Sequence, residues 1–212
     1  EIAVSPDNWT GTRDRSWGVR PIGAPDPQPV VPAPKPQFYW IWTPTNFANQ
    51  ALYFHVNDDG AGEAWNKRAV LAADGAKHGE HLHLDDAQMD MTYAPGTRRM
   101  AKARLNMKDS EGNPHTVDFE PIGTFLMRGI GYGHEKYKHG MSHGDQLVVE
   151  REDMDPNAPW NIPENLHIQA IVRAHHEGPG GQSSDGIGAF EQLFMGPHAP
   201  SGFKSMLDGA GE

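Results

Sequence analysis

The sequence predicts an all-β fold, an antiparallel lipocalin-like barrel or closed sandwich of about nine or ten strands with little helix. Short apolar segments recur along the chain, and several of them alternate apolar and polar residues. Turn signals such as NDDG at 57–60 and PG at 95–96 separate these segments. Short strands divided by turn residues are typical of antiparallel barrels and sandwiches. A length of 212 residues is ordinary for one all-β domain, so residues 1–212 are expected to form a single unit.

The opening segment, residues 1–20, is predicted to be a strand that carries the sequence RDRSWG. Side chains alternate along a strand, so Asp14 is expected on the face opposite Arg13 and Trp17. If Asp14 faces the inside of a closed sheet, burial and nearby arginines decide whether it is a proton donor or a fixed anion. The alternative is a structural ion pair with a neighbouring arginine that closes the end of the barrel.

A Pro-rich connection and the body of the barrel are predicted to follow. Residues 21–36 contain seven prolines, which exclude helix and central strand because proline lacks the amide N–H. The body is expected over residues 37–200. Its strands are predicted at 37–43, 51–56, 63–72, 87–93, 101–108, 115–121, 124–132, 166–174 and 187–195, on apolar alternation or apolar runs. The tail, 201–212, includes the one predicted helix, a short one at 201–208.

A barrel of this size has room for a small ligand. The side chains expected to point inward would give the cavity an aromatic and thioether lining; they are Phe38, Trp40, Trp42, Tyr53, Met89, Met91, Tyr93, Met107 and Phe125. The candidate ligand-binding residues are Trp17, Trp40, Trp42, Tyr53, Met91 and Tyr93. The alternative is that these residues fill a core, as large apolar side chains usually do.

Composition excludes several classes of function. The net charge is −10, from 28 acidic and 18 basic residues, and no run of Lys and Arg exceeds two. These features argue against nucleic acid or an anionic membrane surface as a partner. The sequence has no cysteine, so thiolate chemistry and disulfides are absent. No apolar run approaches 18 residues, so no membrane span is expected. No leader is visible at Glu1, and the expected compartment is the cytoplasm.

The histidines present two candidate sites. His81 and His83 project to the same face if extended, which suits two ligands of one metal ion. A third and a fourth ligand cannot be named, and the glutamate of a cupin motif is absent. In the glycine-rich segment 131–145, His134 offers an imidazole for acid–base chemistry, with a solvated loop as the alternative. Glu191 lies in an apolar strand and is expected either to face solvent or to pair with an arginine, Arg13 or Arg20.

Several segments together resemble a group of uncharacterised bacterial proteins; they are RDRSWGVRP, FYWIW, HVNDDG, YAPGTRR, NLHIQA and EQLFMGPHAPSGF. That group is similar in turn to the double-lipocalin superfamily of carotenoid hydratases, tocopherol cyclases and Diels-Alderase-type cyclases, through Asp14, Trp17, Gly18 and the all-β pattern. The resemblance implies that Asp14 protonates a substrate double bond. Arg15 stands where a histidine often follows the aspartate. The superfamily has two barrel-like halves and this chain has material for one, so a second barrel half or another copy of the chain is an expected partner.

The leading hypothesis is a cofactor-free enzyme that binds a lipophilic unsaturated compound, terpenoid or polyketide-like, and hydrates, isomerises or cyclises it. Asp14 would protonate the substrate, the aromatic faces would stabilise the cation, and His134 or Glu191 would take the proton back. One alternative is a non-catalytic carrier with the same cavity. Another is a cupin-like metal-dependent enzyme that uses His81 and His83.

Overall fold

Nine β-strands form an antiparallel barrel in the computed structural model, which describes residues 3, 5, 9–15, 37–77, 79–130, 134–137, 143–145, 147–151, 153, 155 and 158–211. The strands are β1 (Phe38–Trp42), β2 (Thr45–Phe47), β3 (Gln50–Asp58), β4 (Ala64–Ala73), β5 (Leu82–Tyr93), β6 (Met100–Lys108), β7 (Pro114–Leu126), β8 (His167–Gly178) and β9 (Gln182–Met195). Two single-turn 3₁₀ helices, Pro163–Asn165 and Pro179–Gly181, flank β8. No helix among the described residues is both long enough and apolar enough to cross a membrane.

The barrel has eight strand positions because β1 and β2 occupy one of them. Both pair with β9 on one side and with β3 on the other, as two halves of an interrupted strand. From β3 onward each strand pairs with the next, and β9 returns to β1 and β2. Gly188 allows this closure: a Cβ at that position would lie 2.5 Å from both the Pro44 carbonyl oxygen and Thr45 Oγ1, closer than real contacts permit.

The core lies inside the barrel and follows the alternation of the strands. Inward positions include Ile41 of β1, Leu52 and Phe54 of β3, Leu105 of β6 and Phe190 of β9, all almost completely buried. Partly buried methionines of β5 pack against this core. Burying such side chains contributes about 1.5–3 kcal/mol each, so the packed interior is what stabilises the closed sheet.

The wall is incomplete between β4 and β5. These strands pair over three positions only, Ala69–Leu71 of β4 against Leu82–Leu84 of β5. At Asp86 the backbone takes a positive φ of 51°, and the register of β5 on β6 shifts there between 85 and 88. The first half of β4 and the second half of β5 therefore diverge, and a cavity lies between them.

The C-terminal segment, residues 197–211, folds back over the end of the barrel where β5 meets β6. Its conformation begins with a short bridge between His198 and Phe203. Arg98 is buried beneath it, and its guanidinium donates to the carbonyl oxygens of Gly196, Ser205 and Asp208 and to the Asp208 carboxylate, at 2.8–2.9 Å. Burial raises the pKa of Asp208, but hydrogen bonds from Lys204, Ser205 and Arg98 outweigh it and lower that pKa to about 2.

The all-β, antiparallel barrel predicted from the sequence is confirmed. The separate strand predicted to begin at 124 is wrong, because β7 continues through an irregularity at 121–123 to Leu126 and residues 127–130 are not in a strand. Residues 131 and 132 lie outside the described residues. The helix predicted at 201–208 is wrong, since turns and bends occupy these positions. In the opening segment residues 9–15 have no regular secondary structure, so the strand predicted there is also wrong. The Pro-rich connection, 21–36, lies outside the described residues.

Candidate functional site

A cavity of about 1050 Å³ lies behind the gap between β4 and β5. Its apolar wall is formed by Phe54, Val56, Met89, Met91 and Met107. One group of polar side chains lies at the end nearest the C-terminal segment, and Asn106, His115 and Thr116 line the opposite end. Ligand sites in proteins are typically concave, and this concave site is lined by apolar and polar groups in similar measure.

The polar end consists of a continuous set of contacts, named here the hydroxyl chain, formed by Tyr39, Tyr93, Ser201, His198 and Asp58. The Tyr39 and Tyr93 hydroxyls are 3.3 Å apart, and the Tyr93 hydroxyl lies 2.6 Å from Ser201 Oγ. Ser201 Oγ is 2.7 Å from His198 Nδ1, and His198 Nε2 is 3.4 Å from Asp58 Oδ2. All five residues line the cavity.

Four parts of the chain meet to build this cluster. Tyr39 comes from the beginning of β1, Asp58 from the end of β3 and Tyr93 from the end of β5. These ends coincide because neighbouring strands of an antiparallel barrel run in opposite directions. His198 and Ser201 are supplied by the C-terminal segment.

Aromatic stacking fixes the orientation of the cluster. The His198 ring stacks on Tyr39 with centroids 3.7 Å apart, and Tyr39 stacks on Phe194 at 4.1 Å. The backbone hydrogen bonds between His198 and Phe203 hold the turn that carries Ser201. The hydroxyl chain is therefore preorganised by packing and does not depend on a ligand for its geometry.

The two tyrosines remain neutral over the physiological pH range. Burial raises the pKa of Tyr39 well above its ordinary value, and the adjacent Tyr93 raises it further. Burial also raises the pKa of Tyr93, against an opposing effect of its hydrogen bond with Ser201. A neutral phenol both donates and accepts hydrogen bonds, so these hydroxyls present an O–H group and an oxygen lone pair to the cavity.

The charged residues that line the cavity are mostly acidic. Glu63, Asp86 and Asp90 lie at its exposed edge with Lys67 and Lys108, and Lys108 is paired with Asp86 at 3.0 Å. Together with the net charge of −10, this arrangement disfavours an anionic ligand.

A pair of buried histidines lies inside the other end of the barrel. The rings of His115 on β7 and His176 on β8 stack at 5.4 Å, and His115 Nδ1 is 3.1 Å from His176 Nε2. Gln50 contacts the other ring nitrogen of His176 at 3.3 Å, and Asp109 lies 3.8 Å from His115. Burial lowers the pKa of both imidazoles, because it disfavours the charged form.

This pair predicts a loss of stability in mild acid. A histidine whose folded-state pKa is lowered stabilises the fold fully above its unfolded pKa of about 6.5, and that contribution is lost as the pH falls below this value. His176→Gln is expected to flatten the pH dependence of the unfolding free energy, measured by denaturant titration from pH 7.5 to pH 5. His175→Gln is the control. The exposed His175 pairs with Asp185, which raises the pKa of His175. Removing this histidine should therefore make the loss of stability in acid steeper instead of flatter. An unaltered acid loss in His176→Gln would contradict the assignment.

The three catalytic residues predicted from the sequence do not meet. Asp14 is exposed in the irregular opening segment, so its predicted inward position is wrong; the segment contacts the barrel through Asn46, which bonds Thr10 and Gly11. His134 lies in a loop and accepts hydrogen bonds from the amides of its own turn. Glu191 is buried on the outer face of β9.

The partner that the structure gives Glu191 is a histidine. Glu191 is buried, and its carboxylate lies 2.5 Å from His167 Nε2 on β8. Arg13 makes no contact with it among the described residues, and Arg20 lies outside them. The His167 ring is 6.3 Å from Trp40. Gln192 and Phe190, the neighbours of Glu191 in β9, point inward instead, so alternation places Glu191 and His167 outside the cavity.

The predicted ligand-binding residues divide between the two faces of the sheet. Met91 and Tyr93 line the cavity, so their inward placement is confirmed, whereas ligand binding there stays a prediction. Trp40 and Trp42 lie on the outer face, because Tyr39 and Ile41 are the buried members of β1. Tyr53, with 46% of its surface exposed, also points outward. Phe38 and Phe125 are likewise outside, and Trp17 lies beyond the described residues.

The structure brings no further metal ligands to His81 and His83 among the described residues. His81 precedes β5, and His83 is exposed on that strand opposite Val70. Throughout the part of the chain that the structure describes, no three His, Asp or Glu side chains gather in an arrangement able to hold a metal ion.

Sequence reasoning missed most of the hydroxyl chain. In the sequence, Asp58 belongs to the turn signal NDDG, and His198 belongs to the resembling segment EQLFMGPHAPSGF. Ser201 begins the helix predicted at 201–208. The available signal was the polar pair His198 and Ser201 within a glycine- and proline-rich turn, but no local pattern shows that this turn folds back over the barrel.

Comparison with known proteins gives the family of the chain. No curated protein and no solved structure matches it significantly. One family matches over residues 1–204, which is nearly the whole length. The chain therefore belongs to DUF8625, a family of unknown function.

Proposed function

We propose that this protein binds a lipophilic unsaturated small molecule, terpenoid or polyketide-like, in the barrel cavity and hydrates, isomerises or cyclises it without a cofactor. The observation that carries the proposal is the cavity of about 1050 Å³, in which the apolar side chains of Phe54, Met89 and Met91 lie beside the hydroxyl chain. Its volume lies just above the usual range of small-molecule sites, about 300–1,000 Å³.

A neutral ligand suits the charges of the cavity. Lys67 and Lys108 are the cations among its lining residues, and both are exposed at the edge. The buried guanidinium nearby, that of Arg98, is already engaged by carbonyl oxygens and Asp208. A carboxylate ligand would therefore lose its hydration without gaining a buried partner, which is costly.

The acid–base chemistry is assigned to the hydroxyl chain in place of Asp14, His134 and Glu191. Its phenols, serine and imidazole are within hydrogen-bond distance of one another and line the cavity. General acid–base catalysis supplies about 10²–10⁴-fold, and holding a flexible substrate in a reactive conformation supplies more. We also propose distant kinship with the double-lipocalin superfamily, on the RDRSWG motif and the barrel, with a second barrel half or another copy of the chain as partner.

A non-catalytic carrier is the second candidate, because the three predicted catalytic residues lie away from the cavity. The two functions differ in the fate of the ligand. A carrier returns the compound unchanged, whereas the enzyme converts it.

Narrowing the cavity tests the ligand binding that both candidate functions require. Met91→Trp is expected to remove the small molecules that organic solvent extracts from the native protein, measured by mass spectrometry, because the larger side chain takes up cavity space. Thr92→Trp is the matched control, since the neighbouring Thr92 is exposed on the outer face of β5, and it should retain the wild-type compounds. Identical extracts from both variants, or none from the wild type, would count against a lipophilic ligand in the cavity.

A further inference from the structure

We propose that the hydroxyl chain binds the carbonyl oxygen of a lipophilic ketone or aldehyde and delivers a proton to it. Tyr93 is the catalytic residue that touches this oxygen, and Ser201, His198 and Asp58 position and replenish its proton. The inference rests on the proposed function, whose ligand class it narrows to neutral carbonyl compounds.

The direction of the hydrogen bonds depends on which nitrogens of His198 carry protons. If His198 Nε2 carries the only imidazole proton, the Ser201 hydroxyl donates to Nδ1 and the Tyr93 hydroxyl donates to Ser201. If Nδ1 carries a proton, it donates to Ser201 Oγ, and Ser201 donates to the Tyr93 oxygen. The Tyr93 hydroxyl then donates to the Tyr39 oxygen at 3.3 Å, to Met91 Sδ at 3.9 Å, or to a ligand in the cavity. With both nitrogens protonated, the imidazolium faces the Asp58 carboxylate at 3.4 Å. The chain is thus able to carry a proton from His198 to the cavity.

The transfer balances without a further reagent except water. In the imidazolium form of His198, the Nδ1 proton moves to Ser201 Oγ, the serine proton moves to the Tyr93 oxygen, and the phenol proton of Tyr93 moves to the carbonyl oxygen of the ligand, which leaves His198 neutral. A water molecule takes a proton from the carbon next to that carbonyl, which gives the neutral enol and a hydronium ion. That proton passes to solvent, and solvent protonates His198 again. The reverse transfer rebuilds the ketone with a solvent hydrogen on that carbon.

A carbonyl oxygen fits these groups better than the alternatives do. The phenols are neutral and donate hydrogen bonds, which a ketone oxygen accepts. A carboxylate would meet Asp58 and the acidic edge of the cavity, and like charges at close range repel. A hydrocarbon has no oxygen to accept a hydrogen bond from these hydroxyls, so the hydroxyl chain would add no contact that favours it.

The hydroxyl chain is not required to anchor the C-terminal segment. Arg98 already holds that segment through carbonyl oxygens and Asp208. The segment's own Phe203 is buried, with the Arg98 guanidinium 4.3 Å from its ring centroid. Replacing buried ionic groups by well-packed apolar side chains is often neutral or stabilising, so a buried set of polar contacts is weak evidence of a purely structural role. The hydroxyl chain lines the cavity, and this position indicates that it contacts a ligand.

The probe for the test is 6-propionyl-2-(dimethylamino)naphthalene, a neutral lipophilic ketone with a CH₂ group next to its carbonyl. Binding is measured by its fluorescence, and proton transfer by mass spectrometry of deuterium uptake at the CH₂ group in D₂O. The wild type is expected to bind the probe saturably and to accelerate the exchange over buffer.

The variants separate binding from proton transfer. Tyr93→Phe and Ser201→Ala are expected to slow the exchange by about 10²–10⁴-fold, while the dissociation constant of the probe changes by less than about tenfold, the effect of one hydrogen bond. Tyr53→Phe removes a hydroxyl from the outer face and should behave as wild type. Thermal unfolding checks the fold of each variant, and Ser201→Ala alone carries the test if Tyr93→Phe does not fold.

Each outcome decides one claim. If the wild type binds the probe and accelerates the exchange, and both variants lose that acceleration, the result supports proton transfer through the hydroxyl chain, the relay. Binding with exchange no faster than in buffer, or exchange that Tyr93→Phe and Ser201→Ala retain, overturns the relay but leaves a lipophile-binding cavity. Failure of the wild type to bind the ketone overturns both the carbonyl site and the proposed function from which it follows.

Discussion

Arg98→Ala is expected to lower the free energy of unfolding by about 3–5 kcal/mol, the cost of breaking a buried ion pair by removing one partner. The substitution leaves the Asp208 carboxylate, whose side chain is only 18% exposed, without its cation. It also leaves the carbonyl oxygens of Gly196 and Ser205 without their donor. Detachment of the C-terminal segment should follow, which would take Ser201 away from Tyr93.

Urea denaturation followed by tryptophan fluorescence measures this effect. Arg99→Ala is the matched control, because Arg99 is half-buried with its guanidinium 4.6 Å from the Trp160 ring centroid. A cation–π contact of that kind is worth about 0.5–1 kcal/mol at an exposed site. Equal losses in the two variants would show that the Arg98 network does not hold the segment.

Phe190→Ala is expected to cost about 3–5 kcal/mol, the range for removing a buried phenylalanine ring. Phe190 is completely buried inside the barrel, and its ring meets Phe119 edge-on at 5.6 Å. The two side chains come from β7 and β9, which both pair with β8, and they belong to the same buried core cluster. A cavity would remain in the alanine variant.

Thermal and denaturant unfolding give the size of this loss, with Phe125→Ala as the control. Phe125 lies on β7 with 47% of its surface exposed, so its removal should change stability by less than about 1 kcal/mol. A small effect at Phe190 would mean that the interior is not packed as the structure has it.

The sequence predicts a strand and its inward face best where one face of the strand is buried and the other is exposed to solvent. The alternation of Met89, Met91 and Tyr93 with polar residues located β5 and its inward face. QFYWIWT carries no such alternation, so the sequence could not tell which of its aromatic residues turn inward, and it chose Trp40 and Trp42 where the structure buries Tyr39 and Ile41.

The candidate site was largely hidden from the sequence because long-range contacts build it. Tyr93 and Ser201 are 108 positions apart and meet only because the C-terminal segment folds back. The driving interaction, the buried Arg98, came from a stretch that looked like a polar turn. Asp14 was selected because several charged and aromatic residues surround it in the sequence. Alternation along an assumed strand does not determine whether that strand joins the sheet.

The most direct test of the central claim is a crystal structure of the protein with 6-propionyl-2-(dimethylamino)naphthalene bound. The account predicts electron density for the ring system inside the barrel, between β4 and β5, with the ketone oxygen within hydrogen-bond distance of the Tyr93 hydroxyl. Density for the probe on the outer face beside Trp40, with the cavity closed by its own side chains, would contradict it.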